Sequence, residues 1–241
     1  MNYSWLMLDA DGTLFDYDRA ETLALSRSFE DLGLAFDPGY VPIYRDINDR
    51  LWKEFERGEV TQARLRIKRF EQLAEALRID VDLPALSRRY LIRLAEGTDL
   101  IEGAEALLGA LHGRVGLLLI TNGLTEVQRP RLMRSTIGHY FSHLIISEEV
   151  GAAKPHRPIF DVAFSHMSHP PREEVLIVGD SLTSDIQGGR DYGIDTCWYN
   201  PARRPLPPNV QVTHQIHSLA QLLPIVGLNG TGSGCGEGAP A

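Results

Sequence analysis

Only two cysteines occur in the 241 residues, Cys197 and Cys235. Two are too few for a disulfide framework, and both are expected to be free thiols. Long apolar runs are also missing: the longest, Val115 to Ile120, falls far short of the ~20 residues a helix needs to cross a bilayer. The opening Met-Asn-Tyr-Ser-Trp has no basic stretch and no small-residue cleavage pattern, so a cytoplasmic location is expected. Basic charge is in deficit, with 24 Lys and Arg against 32 Asp and Glu and a formal net charge of −8. Such a field repels polyanions and acidic surfaces, so neither a nucleic-acid partner nor a membrane partner is expected. His166 and His169, three apart, lack the cysteine or glutamate support of a zinc site.

Hydrophobic residues reach 43% and charged residues 23%, which is enough apolar material for a real core. Four short apolar runs stand out: Trp5 to Leu8, Val115 to Ile120, Leu144 to Ile146 and Val175 to Val178, with Thr196 to Tyr199 as a weaker fifth. Their lack of polar alternation suits strands covered on both faces. Between them lie stretches of helical length: Gly103 to His112, Glu126 to Ile137, Pro158 to Met167 and Thr183 to Tyr192. Strand and helix alternate, which predicts an α/β fold with a parallel, doubly wound sheet. Residues 17–97 differ, being charged and helix-periodic with no strand, and read as a helical insert after the first strand. Residues 227–241 are Gly-rich and read as a flexible tail.

The polar residues that matter sit where strands end. Asp9 and Asp11 follow the first strand, Thr121 and Asn122 the second, and Asp180 the fourth. In a doubly wound sheet the carboxyl ends of neighbouring strands form the ligand crevice, so these residues are expected to converge. Asp9 and Asp11, ahead of Gly12, can face a common cation while the turn opens toward an anion; the alternative for the pair alone is an acidic turn at the end of a strand. Gathering Asp9, Asp11, Asp180 and Asp185 without a cation would raise some of their pKa values, and a hard divalent ion removes that conflict. Thr121-Asn122-Gly123 offers a hydroxyl and backbone amides to an anion, or caps the next helix. Lys154 alone would pass for a surface lysine.

Together, Asp9-Ala10-Asp11-Gly12-Thr13-Leu14, Thr121-Asn122-Gly123, Lys154-Pro155 and Gly179-Asp180 with Asp185 resemble the four motifs of the haloacid dehalogenase-like hydrolase superfamily. The resemblance implies a Rossmann-like core (1–16 and 98–226) with an all-helical cap (17–97). It implies that Asp9 is the nucleophile and Asp11 the acid and base, with Thr121, Asn122 and Lys154 binding phosphate. It further implies that Asp9, Asp180 and the Asp11 carbonyl bind Mg²⁺, and that Asp185 supports the metal shell or orients Lys154. Phosphoryl transfer asks mainly for in-line positioning and charge neutralisation, which suits such a set. Dehalogenases of the superfamily lack the second aspartate, so Asp11 argues against dehalogenation. No cap lysine is assignable as a phosphonatase Schiff base, and the motifs are shared with phosphosugar mutases.

A narrower likeness, to bacterial pyrimidine 5′-nucleotidases, is carried by Leu51-Trp52-Lys53-Glu54-Phe55, by Ile146 to Pro155 and by Thr196-Cys197-Trp198-Tyr199-Asn200. It implies a nucleoside monophosphate as substrate, with a sugar phosphate or other small phosphomonoester as the alternative and a non-catalytic binding protein as the distant one. Phe15, Tyr17, Trp52 and Phe55 are candidates to stack on a base, against ordinary packing within the helices. Arg64, Arg66, Lys68 and Arg69 form a basic cluster expected on a solvated face, one of which could meet substrate.

Overall fold

Each apolar run becomes a strand because both of its faces can be buried. In the computed structural model, which describes residues 3–228, β1 (Trp5–Leu8) lies between β2 (Gly116–Thr121) and β4 (Val175–Gly179), parallel to both. Leu6 sits opposite Leu117 and Leu176, and Leu8 opposite Leu119 and Val178. With β3 (His143–Ile146), β5 (Asp195–Tyr199) and β6 (His214–Ile216), the sheet order is β3-β2-β1-β4-β5-β6, every pairing parallel. Alternate residues serve opposite faces. Leu6, Leu8, Leu119 and Val178 share a core with Leu107, Leu108 and Leu111, whereas Met7, Leu118, Ile120 and Ile177 pack with Ile159, Phe160 and Phe164.

Helices fill the connections. They are α1 (Tyr17–Asp31), α2 (Tyr40–Glu56), α3 (Gln62–Leu77), α4 (Leu83–Glu96), α5 (Ala104–Leu111), α6 (Thr125–Arg134), α7 (Ser147–Val150), α8 (Arg157–His166), α9 (Gln187–Tyr192) and α10 (Leu222–Ile225). Among the described residues none is long and apolar enough to cross a membrane. The sequence reading misses β6, a His-Gln-Ile segment in which Ile216 alone is buried and which pairing with β5 holds in place. The helix expected to reach Ile137 stops at Arg134, where Ser135 turns to extended backbone while its amide closes the last turn on the Arg131 and Leu132 carbonyls. The helix expected over Thr183 to Tyr192 is in fact a wide π turn, Leu182–Ile186, followed by α9. Of the expected tail, residues 229–241, with Cys235, lie outside the described residues.

From α1 to α4 the chain is helical. Side-chain oxygens of Asp16, Thr61 and Asp82 accept from the first-turn amides of α1, α3 and α4. The helices close around Leu25, Phe29, Tyr44, Leu51, Leu65, Phe70, Leu73 and Tyr90, and Leu124 and Val127 at the start of α6 join them. This interior is not wholly apolar. Buried Glu21 accepts from Arg45 Nε at 2.9 Å and from Asn48 Nδ2 at 3.1 Å. Burial outweighs the Arg45 charge and pushes the Glu21 carboxyl up to about 7 from 4.5. Between those values the folded protein keeps a proton that the unfolded chain has released, so the Glu21 contribution falls as pH rises. Glu21→Gln is therefore expected to flatten the loss of stability between about pH 5 and about pH 8, by up to about 3 kcal/mol in urea melts. Parallel pH profiles for the two proteins would contradict it.

Candidate active site

The sheet order reverses direction at β1 and β4, the place where a doubly wound sheet opens a crevice at its carboxyl edge. Asp9 extends β1 by one rung, its amide donating to the Val178 carbonyl at 3.0 Å. The chain then turns through Gly12 at φ +80°, where a Cβ would lie 2.8 Å from the Asp180 carboxylate. Asp180 follows β4, its carbonyl accepting from the Trp198 indole at 3.0 Å. Just before it, a Cβ on Gly179 would overlap the Asp185 carboxylate, so glycine is the residue that lets the π turn close on the strand.

Lys154 lies at the centre of these residues. It is 1% exposed, and its ammonium donates to Asp9 Oδ1 at 2.5 Å, to Asp185 Oδ1 at 2.6 Å and to the Ile120 carbonyl at 2.9 Å. The Asn122 side chain fixes its backbone from both sides, accepting from the Lys154 amide and donating to the Lys154 carbonyl, each at 2.8 Å. Burial works against the ammonium, but Asp185 and Asp9 more than reverse this and raise it above the usual lysine value. Burial also holds Asp9 well above the carboxylate range despite Lys154, and it pushes Asp180 up to about 7, with the Asp185 charge adding to the shift. Asp185 Oδ2 accepts from the Ser181 amide at 3.1 Å, so both of its oxygens are engaged.

Asp9, Asp11, Thr121, Asn122, Lys154, Asp180 and Asp185 all line one cavity of about 260 Å³. The carboxylate of Asp11 points elsewhere within it: Oδ1 accepts from Arg131 and Oδ2 from Gln128 Nε2 at 2.5 Å. Both partners belong to α6 and were missed in the sequence, although Val127 and Arg131, four apart, share its buried face. Gln62 also escaped notice; its amide donates to the Asn122 carbonyl (3.1 Å) and to Ser147 Oγ (3.0 Å), tying the start of α3 to the site. Of the aromatic candidates, Tyr17 and Trp52 line the cavity, whereas Phe15 is buried in the sheet core and Phe55 packs edge-on against Trp52. A larger depression of about 660 Å³ at the amino end of the strands, around Tyr3 and Gly116, gathers no comparable set of carboxylates.

Asp9, Asp180 and Asp185 bring carboxylate oxygens within 4.8 Å of one another. Full ionisation of three carboxylates beside one ammonium would leave two negative charges in excess in a largely buried place, and a divalent cation would neutralise them. An all-oxygen donor set suits a hard ion such as Mg²⁺. Because Asp185 is committed to Lys154 and Ser181, the second oxygen of Asp9 and the Asp180 carboxylate are the donors best placed to hold it. Mg²⁺ is therefore expected to raise Tm relative to EDTA. Asp180→Asn is expected to abolish that rise while stabilising the metal-free protein by about 1 kcal/mol or more, since a buried and repelled charge is removed. Equal Mg²⁺-dependent shifts in the two proteins by scanning calorimetry would contradict this.

A model of the haloacid dehalogenase-like hydrolase family matches residues 3–193. The pyrimidine 5′-nucleotidase YjjG of Escherichia coli strain K12 is 38% identical over 222 residues, 92% of this chain and 97% of its own. The pyrimidine 5′-nucleotidase PynA of Streptococcus pneumoniae is 35% identical over 224 residues, covering 92% and 94%. The crystal structure of the HAD-hydrolase YfnB from Bacillus subtilis, bound to magnesium and described as revealing interdomain movement, superposes with a TM-score of 0.89 at 35% identity, over 95% of this chain and all of that one. A dehalogenase structure at 19% identity and a TM-score of 0.71 shares the fold. A family match that runs from the first strand through α9, on a sheet superposing this closely, makes the chain a member of the haloacid dehalogenase-like hydrolases.

Proposed function

We propose that this hydrolase is a 5′-nucleotidase that removes phosphate from pyrimidine nucleoside monophosphates through a phosphorylated Asp9. One observation carries the reading: Asp9, hydrogen-bonded to Lys154, lines a single cavity together with Thr121, Asn122 and Asp11. The relatives named as pyrimidine 5′-nucleotidases align with this chain over nearly its whole length and support the substrate class. Residues 17–97 act in this reading as a cap over the site, with Tyr17 and Trp52 on its inner surface.

The chemistry follows from the side chains. An oxygen of Asp9 attacks phosphorus as the bond to the 5′ oxygen breaks, and the departing alcohol takes a proton from the Asp11 carboxyl, which has to turn from Arg131 and Gln128 to deliver it. A water then loses a proton to Asp11 and attacks phosphorus; the bond to Asp9 breaks and the carboxylate is restored. Lys154, the Thr121 hydroxyl and the amide of Asn122 bind the transferring oxygens, and Asp185 holds Lys154 in place. Asp9, Asp180 and the Asp11 carbonyl would hold Mg²⁺, which would neutralise charge on those oxygens. Splitting the hydrolysis in two suits a site where Lys154 already holds the carboxylate of Asp9 in a fixed direction.

Phosphate release from nucleoside monophosphates and sugar phosphates, with Mg²⁺ and with EDTA, tests the reading. Mg²⁺-dependent preference for uridine, deoxyuridine or thymidine monophosphate is the expected result. Asp9→Asn is expected to lower kcat by at least about 10⁴-fold with the fold retained by circular dichroism. Preference for a sugar phosphate would replace the substrate and keep the mechanism, whereas near-normal turnover by Asp9→Asn would remove the nucleophile.

A further inference from the structure

The basic run of α3 is divided by the structure. Arg64 pairs with Glu71 at 2.6 Å, Arg66 with Glu148 at 2.8 Å and Glu126 at 2.9 Å, and Lys68 with Glu54 at 2.7 Å. Arg69 departs from the solvated face expected of it. It lies four residues from both Leu65 and Leu73, on the buried stripe of the helix, and is 1% exposed. Its Nε and Nη2 are buried with no acceptor among the described residues. The guanidinium rests over the rings of Tyr90 and Phe70, 4.7 and 5.2 Å from their centroids, which offsets part of its lost hydration but leaves its donors unused. A buried cation whose donors are unused is costly to keep.

Beside it is a small cavity that shares four lining residues with the active site. Arg69 lines a cavity of about 20 Å³ with Asp11, Tyr17, Trp52 and Gly123, and those four residues also line the 260 Å³ cavity that holds Asp9. The small cavity admits about one water-sized atom, its remaining walls are Leu91, Leu94, Leu124, Val127 and Gln128, and a guanidinium can only donate hydrogen bonds. Asn48 Nδ2 donates to the Tyr17 hydroxyl at 3.1 Å and so braces the ring that both cavities share.

We propose that Arg69 selects the leaving group by receiving one carbonyl oxygen of its nucleobase, with Trp52 and Tyr17 forming the walls of the passage. The proposal rests on the nucleotidase reading above and adds to it the chemical group that the leaving nucleoside must present. An oxygen that only accepts satisfies the unused donors, and a cavity of this size takes that atom and little more. A leaving alcohol without such an oxygen leaves the guanidinium as it stands.

The test uses the Mg²⁺-loaded enzyme on uridine 5′-monophosphate, on ribose 5-phosphate, which lacks the base, and on a phosphorylated hydroxy acid. Arg69→Met is expected to lower kcat/KM for the nucleotide by roughly 10- to 100-fold and to change that for ribose 5-phosphate by less than about twofold. Arg69→Lys, which keeps a donor, is expected to retain part of the preference. Tm of the Met variant is expected to stay level or rise, because an unpaired buried cation is lost; a purely structural arginine would instead lower it. Equal losses on all substrates, or a lowered Tm in both variants, would overturn the proposal. A Met variant that still prefers the nucleotide as strongly as the wild type does would overturn it while the nucleotidase reading stands. A wild type indifferent to the base would end both, and an Arg69-dependent preference for the hydroxy acid would reassign the guanidinium to a carboxylate.

Discussion

Two buried carboxylates, a half-buried third and one buried ammonium at the carboxyl ends of β1 and β4 set the terms for everything around them. Charge of that density is tolerable only if each group is held and partly neutralised. Asn122 therefore fixes the backbone of Lys154, Asp185 spends both oxygens on Lys154 and Ser181, and Gly12 and Gly179 give up side chains that would collide with Asp180 and Asp185. Burial keeps Asp9 and Asp180 above the ordinary carboxylate range, and the two excess negative charges that full ionisation would create are the reason that the site suits a divalent ion. Stability is given up here so that a nucleophile and a cation-binding edge can share one place.

The parts of the molecule legible in the sequence are those governed by short-range pattern. Strands covered on both faces have to be apolar throughout, so β1 to β4 stand out, while β6 has one buried residue and depends on a neighbour distant in the chain. Asp9, Asp11, Thr121, Asn122 and Asp180 are readable because they follow strands directly. Lys154 and Asp185 sit in a loop and in a π turn; Asp185 is readable as part of an acidic group, but Lys154 alone reads as a surface lysine, and their specific roles come from the resemblance to a known family. Gln62, Gln128 and Arg131 were illegible because their roles exist only once α3 and α6 lie against the site. Arg69 was within reach: its spacing from Leu65 and Leu73 places it on the buried stripe, but its company of Arg64, Arg66 and Lys68 argued for the surface.

Two arginines connect the helices before β2 to the chemistry by different means. Arg131 is buried on α6, donates to the Leu94 carbonyl near the end of α4 and holds Asp11 at its other end. Arg69 is buried on α3 and holds nothing among the described residues. The first donates from both Nη atoms to link helix and sheet and leaves only its Nε without an acceptor among the described residues, whereas the second leaves Nε and Nη2 without one beside a small cavity that shares lining residues with the active site. Position in the apolar pattern makes both residues look structural, and their hydrogen bonds tell them apart.

The claim that most needs a direct measurement is the covalent one. Wild-type protein mixed with Mg²⁺ and a nucleoside monophosphate, quenched in acid during turnover and digested, can be searched by peptide mass spectrometry for phosphate on the segment containing Asp9. A phosphorylated Asp9 that appears within the first turnover and is absent from Asp9→Asn is the expected result. Full turnover with no phosphopeptide at any quench time, or with phosphate on another residue, would contradict it.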